Sequence, residues 1–130
     1  MKKLSSIFLL SMLFTSLLSA QEANNLTIDK LVICTSIEER QPVGADSTFS
    51  KDVGKLYCFS KILGAEKQCS ISQVWYYKDE QMANIKLNVK AKTWRTWSSK
   101  KIVSFATGQW RVDIVSEKGD VLASKKFTIE

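Results

Sequence analysis

The sequence predicts an all-β domain: a single immunoglobulin-like antiparallel β-sandwich of about seven strands. Two observations carry this. Beyond residue 20, β-branched and aromatic residues gather in runs of five to nine, separated by turn residues. Within those runs apolar and polar side chains alternate with period two, and no stretch keeps an apolar period near 3.6. A small closed barrel is the alternative arrangement of the same strands.

The first element precedes the domain. Lys2 and Lys3 are followed by an apolar run over residues 7–18, then by Ser19 and Ala20, and then by a polar switch over residues 21–25. This is the layout of a secretory signal peptide, with cleavage expected after Ala20. The competing reading is an uncleaved anchor. However, the run is broken by Ser11, Thr15 and Ser16, and a spanning helix wants roughly 20 apolar residues. No transmembrane helix is therefore expected in the mature chain, and a periplasmic or secreted location follows. Residues 21–29 read as a polar stub and residues 30–130 as the sandwich domain.

Within the domain the first run covers residues 31–37. A polar loop over residues 38–51 follows, holding Pro42 and Gly44, and is expected to be irregular. A second run, residues 55–62, stops at Gly64. The third, residues 71–77, puts Ile71, Gln73, Trp75 and Tyr77 on one face and Ser72, Val74 and Tyr76 on the other, and leaves open which face is core. The fourth, residues 82–89, sets Ile85, Leu87 and Val89 against Asn84, Lys86 and Asn88, as a half-solvated strand does. An aromatic and basic segment over residues 93–101 leads into a short run at 102–105. A hairpin closes the chain, its strands at 109–115 and 121–129 joined by a turn in which Gly119 supplies positive φ. Trp75 and Trp110 are expected in the core.

The three cysteines are Cys34, Cys58 and Cys69. In an oxidising compartment an odd number leaves one over. Cys34 and Cys58 lie in apolar strand-like runs, so they are the disulfide candidates; a loop of that length would stabilise the fold by about 3 kcal/mol. Cys69, in a polar loop before Ser70, is the odd one. The alternative is that all three are buried thiols.

The sequence has no histidine, which removes the commonest general base, the commonest metal ligand and every Ser-His or Cys-His pair. No Cys-x-x-Cys, calcium-loop or phosphate-loop spacing is present. No enzyme activity, metal or cofactor is therefore expected. Two weak catalytic ideas survive: a serine of Ser98 and Ser99 activated by Lys100 or Lys101, and a carboxylate pair of Glu38 or Glu39 with Asp113. Without Lys2 and Lys3 the 19 basic residues become 17, against 13 acidic ones, a net charge of +4. That is too little for a nucleic-acid footprint and enough for weak attraction to anionic surfaces.

The segment from Trp94 through Arg95, Trp97 and Ser98 to Lys100 is the most unusual in composition. Aromatic faces with interleaved cations can stack on sugar rings or hold an anionic polymer or a protein loop. The plainer reading makes Trp94 and Trp97 a plug at the end of the sandwich, with the cations snorkelling outward. Arg40, in the loop from Glu38 to Gly44, is a further candidate, expected to pair with a carboxylate. The expected function is a non-catalytic binding module for an envelope protein or anionic polymer, with a structural accessory domain as the alternative.

The ordered motifs Cys34, Glu39-Arg40-Gln41-Pro42-Val43-Gly44, Leu56-Tyr57-Cys58-Phe59, Val74-Trp75-Tyr76-Tyr77, Trp94-Arg95-Thr96-Trp97-Ser98-Ser99-Lys100 and Gly108-Gln109-Trp110-Arg111-Val112 resemble a bacterial family known only as domain of unknown function number 2914. The resemblance implies an exported or membrane-tethered β-rich module with no assigned activity and no catalytic residue. Similar sequences tend to have histidine where Gln73 stands, so any chemistry of that histidine is absent here unless an amide serves by hydrogen bonding alone. Cys69 looks like an addition.

Overall fold

The computed structural model describes residues 25–130, and the signal-peptide reading lies outside them. Ten strands follow one another without a helix among the described residues. Seven are long: β1 (Thr27–Cys34), β5 (Lys55–Leu63), β6 (Cys69–Tyr77), β7 (Glu80–Val89), β8 (Thr93–Lys101), β9 (Gly108–Ser116) and β10 (Val121–Ile129). Three are short: β2 (Ser36–Glu38), β3 (Gln41–Val43) and β4 (Thr48–Phe49). One sheet has the order β1-β5-β8 and faces a second of order β4-β10-β9-β6-β7, while β2 and β3 form a separate ribbon. Every pairing is antiparallel except that of β4 with β10.

Alternation explains the layers. On β5, Leu56, Cys58, Ser60 and Ile62 are fully buried between the sheets. On β6 the inward face is Ile71, Gln73 and Trp75, which answers the question the alternation left open. From β9 and β10 come Trp110, Val112, Ile114, Phe127 and Ile129. Phe127 is the hub of an aromatic cluster, stacked on Trp110 at 5.9 Å and edge-on to Trp75 at 6.1 Å and to Phe49 at 6.2 Å. Each such ring removes apolar surface from water worth about 2–3 kcal/mol.

Three expectations about the elements are corrected. The loop over residues 38–51 contains the end of β2 and the whole of β3 and β4, and Pro42 pairs with Ile37 inside the ribbon. Proline is tolerated there because a two-stranded ribbon leaves an edge that needs no N–H. Residues 102–105 are not a strand, since the preceding aromatic and basic segment is itself the whole of β8. β1 starts at Thr27, well before residue 31, with a bulge between Ile28 and Lys30 that lets its polar start pair with the end of β5.

The expected disulfide is also corrected: Cys34 and Cys58 are both buried thiols. Cys58 pairs with Ile33, and Cys34 with Tyr57. This offset of one residue turns the two side chains to opposite faces of the sheet. Cys58 enters the main core, whereas Cys34 lies on the outer face beneath the β2-β3 ribbon, where its Sγ contacts the carbonyl of Tyr57. Burial raises the pKa of both thiols; for Cys34 the backbone N–H groups of Val43 and Ser36 oppose the rise. Cys69 opens β6, opposite Val89, and does not sit in a loop.

Candidate functional site

β2 and β3 are joined by a two-residue turn in which Glu39 has φ 49° and Arg40 φ 61°. A turn of this kind matches the twist of a hairpin and normally takes Asn-Gly. Two ordinary side chains there cost about 1 kcal/mol or more each. The ribbon lies on the outer face of the β1-β5-β8 sheet. Its turn projects Arg40 towards β8, an edge strand with hydrogen-bonding groups open on one side.

There the Arg40 guanidinium carbon is 5.5 Å from the centroid of the Trp94 ring and 5.7 Å from that of Trp97. Its Nη2 donates to the carbonyl oxygen of Arg95 at 3.2 Å. The expected carboxylate partner is thus replaced by two aromatic faces and a backbone carbonyl, which fit a flat, delocalised cation. Trp97 is in turn stacked on the buried Phe59, centroids 6.3 Å apart and rings 15° from parallel. Trp94 packs on the main core while remaining half-buried. Arg40, Trp94, Arg95 and Trp97 therefore form one patch, although Arg40 and Arg95 are 55 residues apart in the chain.

Two predicted members fall outside it. Ser98 is buried, and its hydroxyl accepts from Trp75 Nε1 at 3.0 Å and donates to Gln73 Oε1. Even period on β8 turns Ser98 into the core, where no ligand reaches it. Lys100, opposite Leu56, stands towards the other end of β8, its ammonium donating to the carbonyl of Lys101. The catalytic candidates are dispersed, with Ser99 exposed on β8 opposite Tyr57. Ser98 is occupied by Gln73 and Trp75. Asp113 lies on the outer face of the five-stranded sheet, and Glu38 and Glu39 stand across the sandwich on the ribbon.

Sequence reasoning missed a second polar cluster on that outer face. Arg111 binds Asp79 Oδ1 through Nη1 at 2.7 Å and Asp113 Oδ1 through Nε at 3.0 Å, and lies 4.3 Å from the centroid of Tyr76. Ser124 donates to the same Asp113 oxygen at 2.7 Å. The hydrogen bond that Arg111 donates to Asp79, helped by the charge of Asp113, raises the pKa of Arg111 despite some burial. The only signal in the sequence was the alternation of Arg111 and Asp113 on the polar side of β9.

Residues 68–129, which hold β6 to β10, match the model of a family described as "Protein of unknown function (DUF2914)". The resemblance read from the ordered motifs holds over this stretch. No curated protein matches the chain. Two solved structures are similar to it: a β-glucosidase from Listeria innocua in complex with glucose (13% identity, TM-score 0.45) and a GH3 β-glucosidase from Bifidobacterium adolescentis (10% identity, TM-score 0.45). The matches cover 81% and 80% of this chain but only 16% and 17% of theirs.

Proposed function

We propose that this chain, whose residues 68–129 match the DUF2914 family, is a non-catalytic binding module of the cell envelope, and that Arg40, Trp94, Arg95 and Trp97 are its contact surface. One observation carries the reading: Arg40 is held between two half-buried indoles by a turn of unfavourable backbone conformation. Such strain persists where surrounding contacts over-determine it, and it clusters at functional positions. The result is a fixed aromatic and cationic surface whose side chains lose little freedom on binding. Its chemistry suits a sugar ring or an anionic group laid against the indole edges and the guanidinium of Arg95.

The test is a titration of tryptophan fluorescence with peptidoglycan fragments and anionic polysaccharides, on wild type, Arg95→Ala and Trp97→Ala. A quench or shift that Arg95→Ala abolishes, with unchanged circular dichroism, supports the reading and identifies the ligand class. A second reading, a structural accessory domain, is favoured by the stacking of Trp97 on Phe59 and of Trp94 on the core. It gains if no ligand responds and Trp97→Ala costs about 3 kcal/mol or more, as buried aromatic truncations do.

A further inference from the structure

The loop between β8 and β9, residues 102–107, presents Phe105 with 82% of its surface exposed and Val103 with 39%. It is anchored on both sides. Ile102 is buried and donates its N–H to Gly54 O at 2.8 Å. Ala106 is buried, bonds back to Val103 O at 3.0 Å, and accepts from Trp110 Nε1 at 2.9 Å. Tyr77 donates its hydroxyl proton to Thr107 O at 2.6 Å. A large apolar ring on a loop fixed in this way is held out into solvent by the fold.

The surroundings of this tip are cationic. Lys55 and Lys101 are direct cross-strand partners, a like-charge pairing that weakens a sheet unless an anion relieves it. Lys100 precedes Lys101, and the Lys78 side chain lies alongside Gly108, just beyond the loop. Lys51 is on the neighbouring turn, bonded through its N–H to Glu130 O. The acidic groups at this end are Asp52, Asp79, Glu80 and Glu130, fewer than the cations around them once Asp79 is engaged by Arg111. Among the described residues no ion pair involves Lys55, Lys78, Lys100 or Lys101.

We propose that this end of the sandwich docks on an anionic lipid surface, with Phe105 and Val103 entering the headgroup boundary and the lysines meeting lipid phosphates. The apolar exposure is confined to two side chains, too small for a stable protein interface, which wants about 1,000 Å². An apolar tip ringed by cations is instead the pattern of an interfacial anchor. The proposal rests on other residues than the patch at Arg40, Trp94, Arg95 and Trp97, whose nearest member on β8, Trp97, stands three residues or roughly 10 Å from Lys100.

The test uses the full chain labelled with 4-fluorophenylalanine, mixed with phosphatidylglycerol or phosphatidylcholine vesicles. Wild type, Phe105→Ser and Lys100→Glu/Lys101→Glu are compared with the same N-terminus, so residues 1–24 contribute equally. The fluorine line missing from Phe105→Ser identifies Phe105. Expected are a shift or broadening of that line with phosphatidylglycerol only, weakening as salt rises. A fall in vesicle partition of about ten-fold or more is expected in Phe105→Ser. An unchanged Phe105 line at saturating phosphatidylglycerol, or partition indifferent to Phe105→Ser, overturns the proposal. So does the same shift from soluble polyphosphate without vesicles, which would make the surface a polyanion site.

Discussion

The side-chain amide of Gln73 donates to the hydroxyl of Ser60 at 3.2 Å, joining the two sheets through the middle of the core. The bond is one link of a chain running from Trp75 Nε1 to Ser98, from Ser98 to the Gln73 carbonyl, from the Gln73 amide to Ser60, and from Ser60 to the carbonyl of Thr96. All buried side-chain polar atoms among the described residues have partners. Gln73→Leu leaves two buried hydroxyls short of a partner and is expected to cost about 2–3 kcal/mol. Gln73→His keeps one donor and one acceptor, since a neutral imidazole has both, and is expected to cost less than about 1.5 kcal/mol. Urea unfolding of the two variants checks this; equal losses would mean that shape and not hydrogen bonding selects the residue.

The strained turn at Glu39 and Arg40 makes its own prediction. Asparagine tolerates left-handed backbone, so Glu39→Asn should raise stability by about 0.5–1 kcal/mol. Arg40→Gly relieves the same strain but abandons the two indoles, so its net effect on stability should stay within about 1 kcal/mol. Its tryptophan emission should nevertheless change, because a guanidinium has left the faces of Trp94 and Trp97. Thermal unfolding followed by fluorescence reads both quantities; a loss above about 2 kcal/mol in Arg40→Gly would make the clamp structural in the first place.

The pattern of strands was legible because period-two alternation is enforced by burial on one face, and β7 follows it residue by residue from Ala83 to Val89. What lay on the outer faces was not. Cys34 and Phe59 are as buried as core residues, but a ribbon built from a loop with Pro42 covers them, and nothing in alternation announces that cover. The disulfide misreading has the same root, because strand register decides which face a cysteine takes and single-strand patterns carry no register. The patch was legible in composition at Trp94, Arg95 and Trp97. The partnership with Arg40 depends on how the ribbon folds across β5, a long-range contact with no local signature.

The buried Cys58 thiol gives a pH prediction. Its pKa in the folded state is raised above the ordinary value of 9.0, chiefly by burial and secondarily by Cys34. Below pH 9 both the folded and unfolded chains keep the proton, so stability does not depend on this group. Above it the unfolded chain loses the proton first, and stability falls by up to about 1.4 kcal/mol per pH unit. Cys58→Ala should be less stable at neutral pH by about 1 kcal/mol, from one lost sulfur-sized contact, yet show a shallower decline between pH 9 and 10.5. Denaturant midpoints measured across that range for the two proteins decide it; parallel declines would mean that the thiol titrates normally.

Gly64 and Gly119 both sit at positive φ, 93° and 91°, yet they should respond differently to a methyl group. At Gly119 nothing lies within 4 Å of an added Cβ. Gly119→Ala should therefore cost only the backbone penalty of about 1–2 kcal/mol. At Gly64 the Cβ would overlap the backbone carbonyl oxygen of Asn25, while the Gly64 N–H is already committed to Lys92 O at 2.8 Å. The glycine cannot retreat without breaking that bond, so the strand start must move instead, where Thr27 pairs with Leu63. Gly64→Ala is expected to cost about 3 kcal/mol or more, adding a backbone clash to the same penalty. Amide exchange should also become faster at residues 27 and 28 than in Gly119→Ala. Equal unfolding midpoints with unaltered exchange there would show that the first turn of β1 is held by Leu26 and Ile28 against the core and not by its pairing to the end of β5.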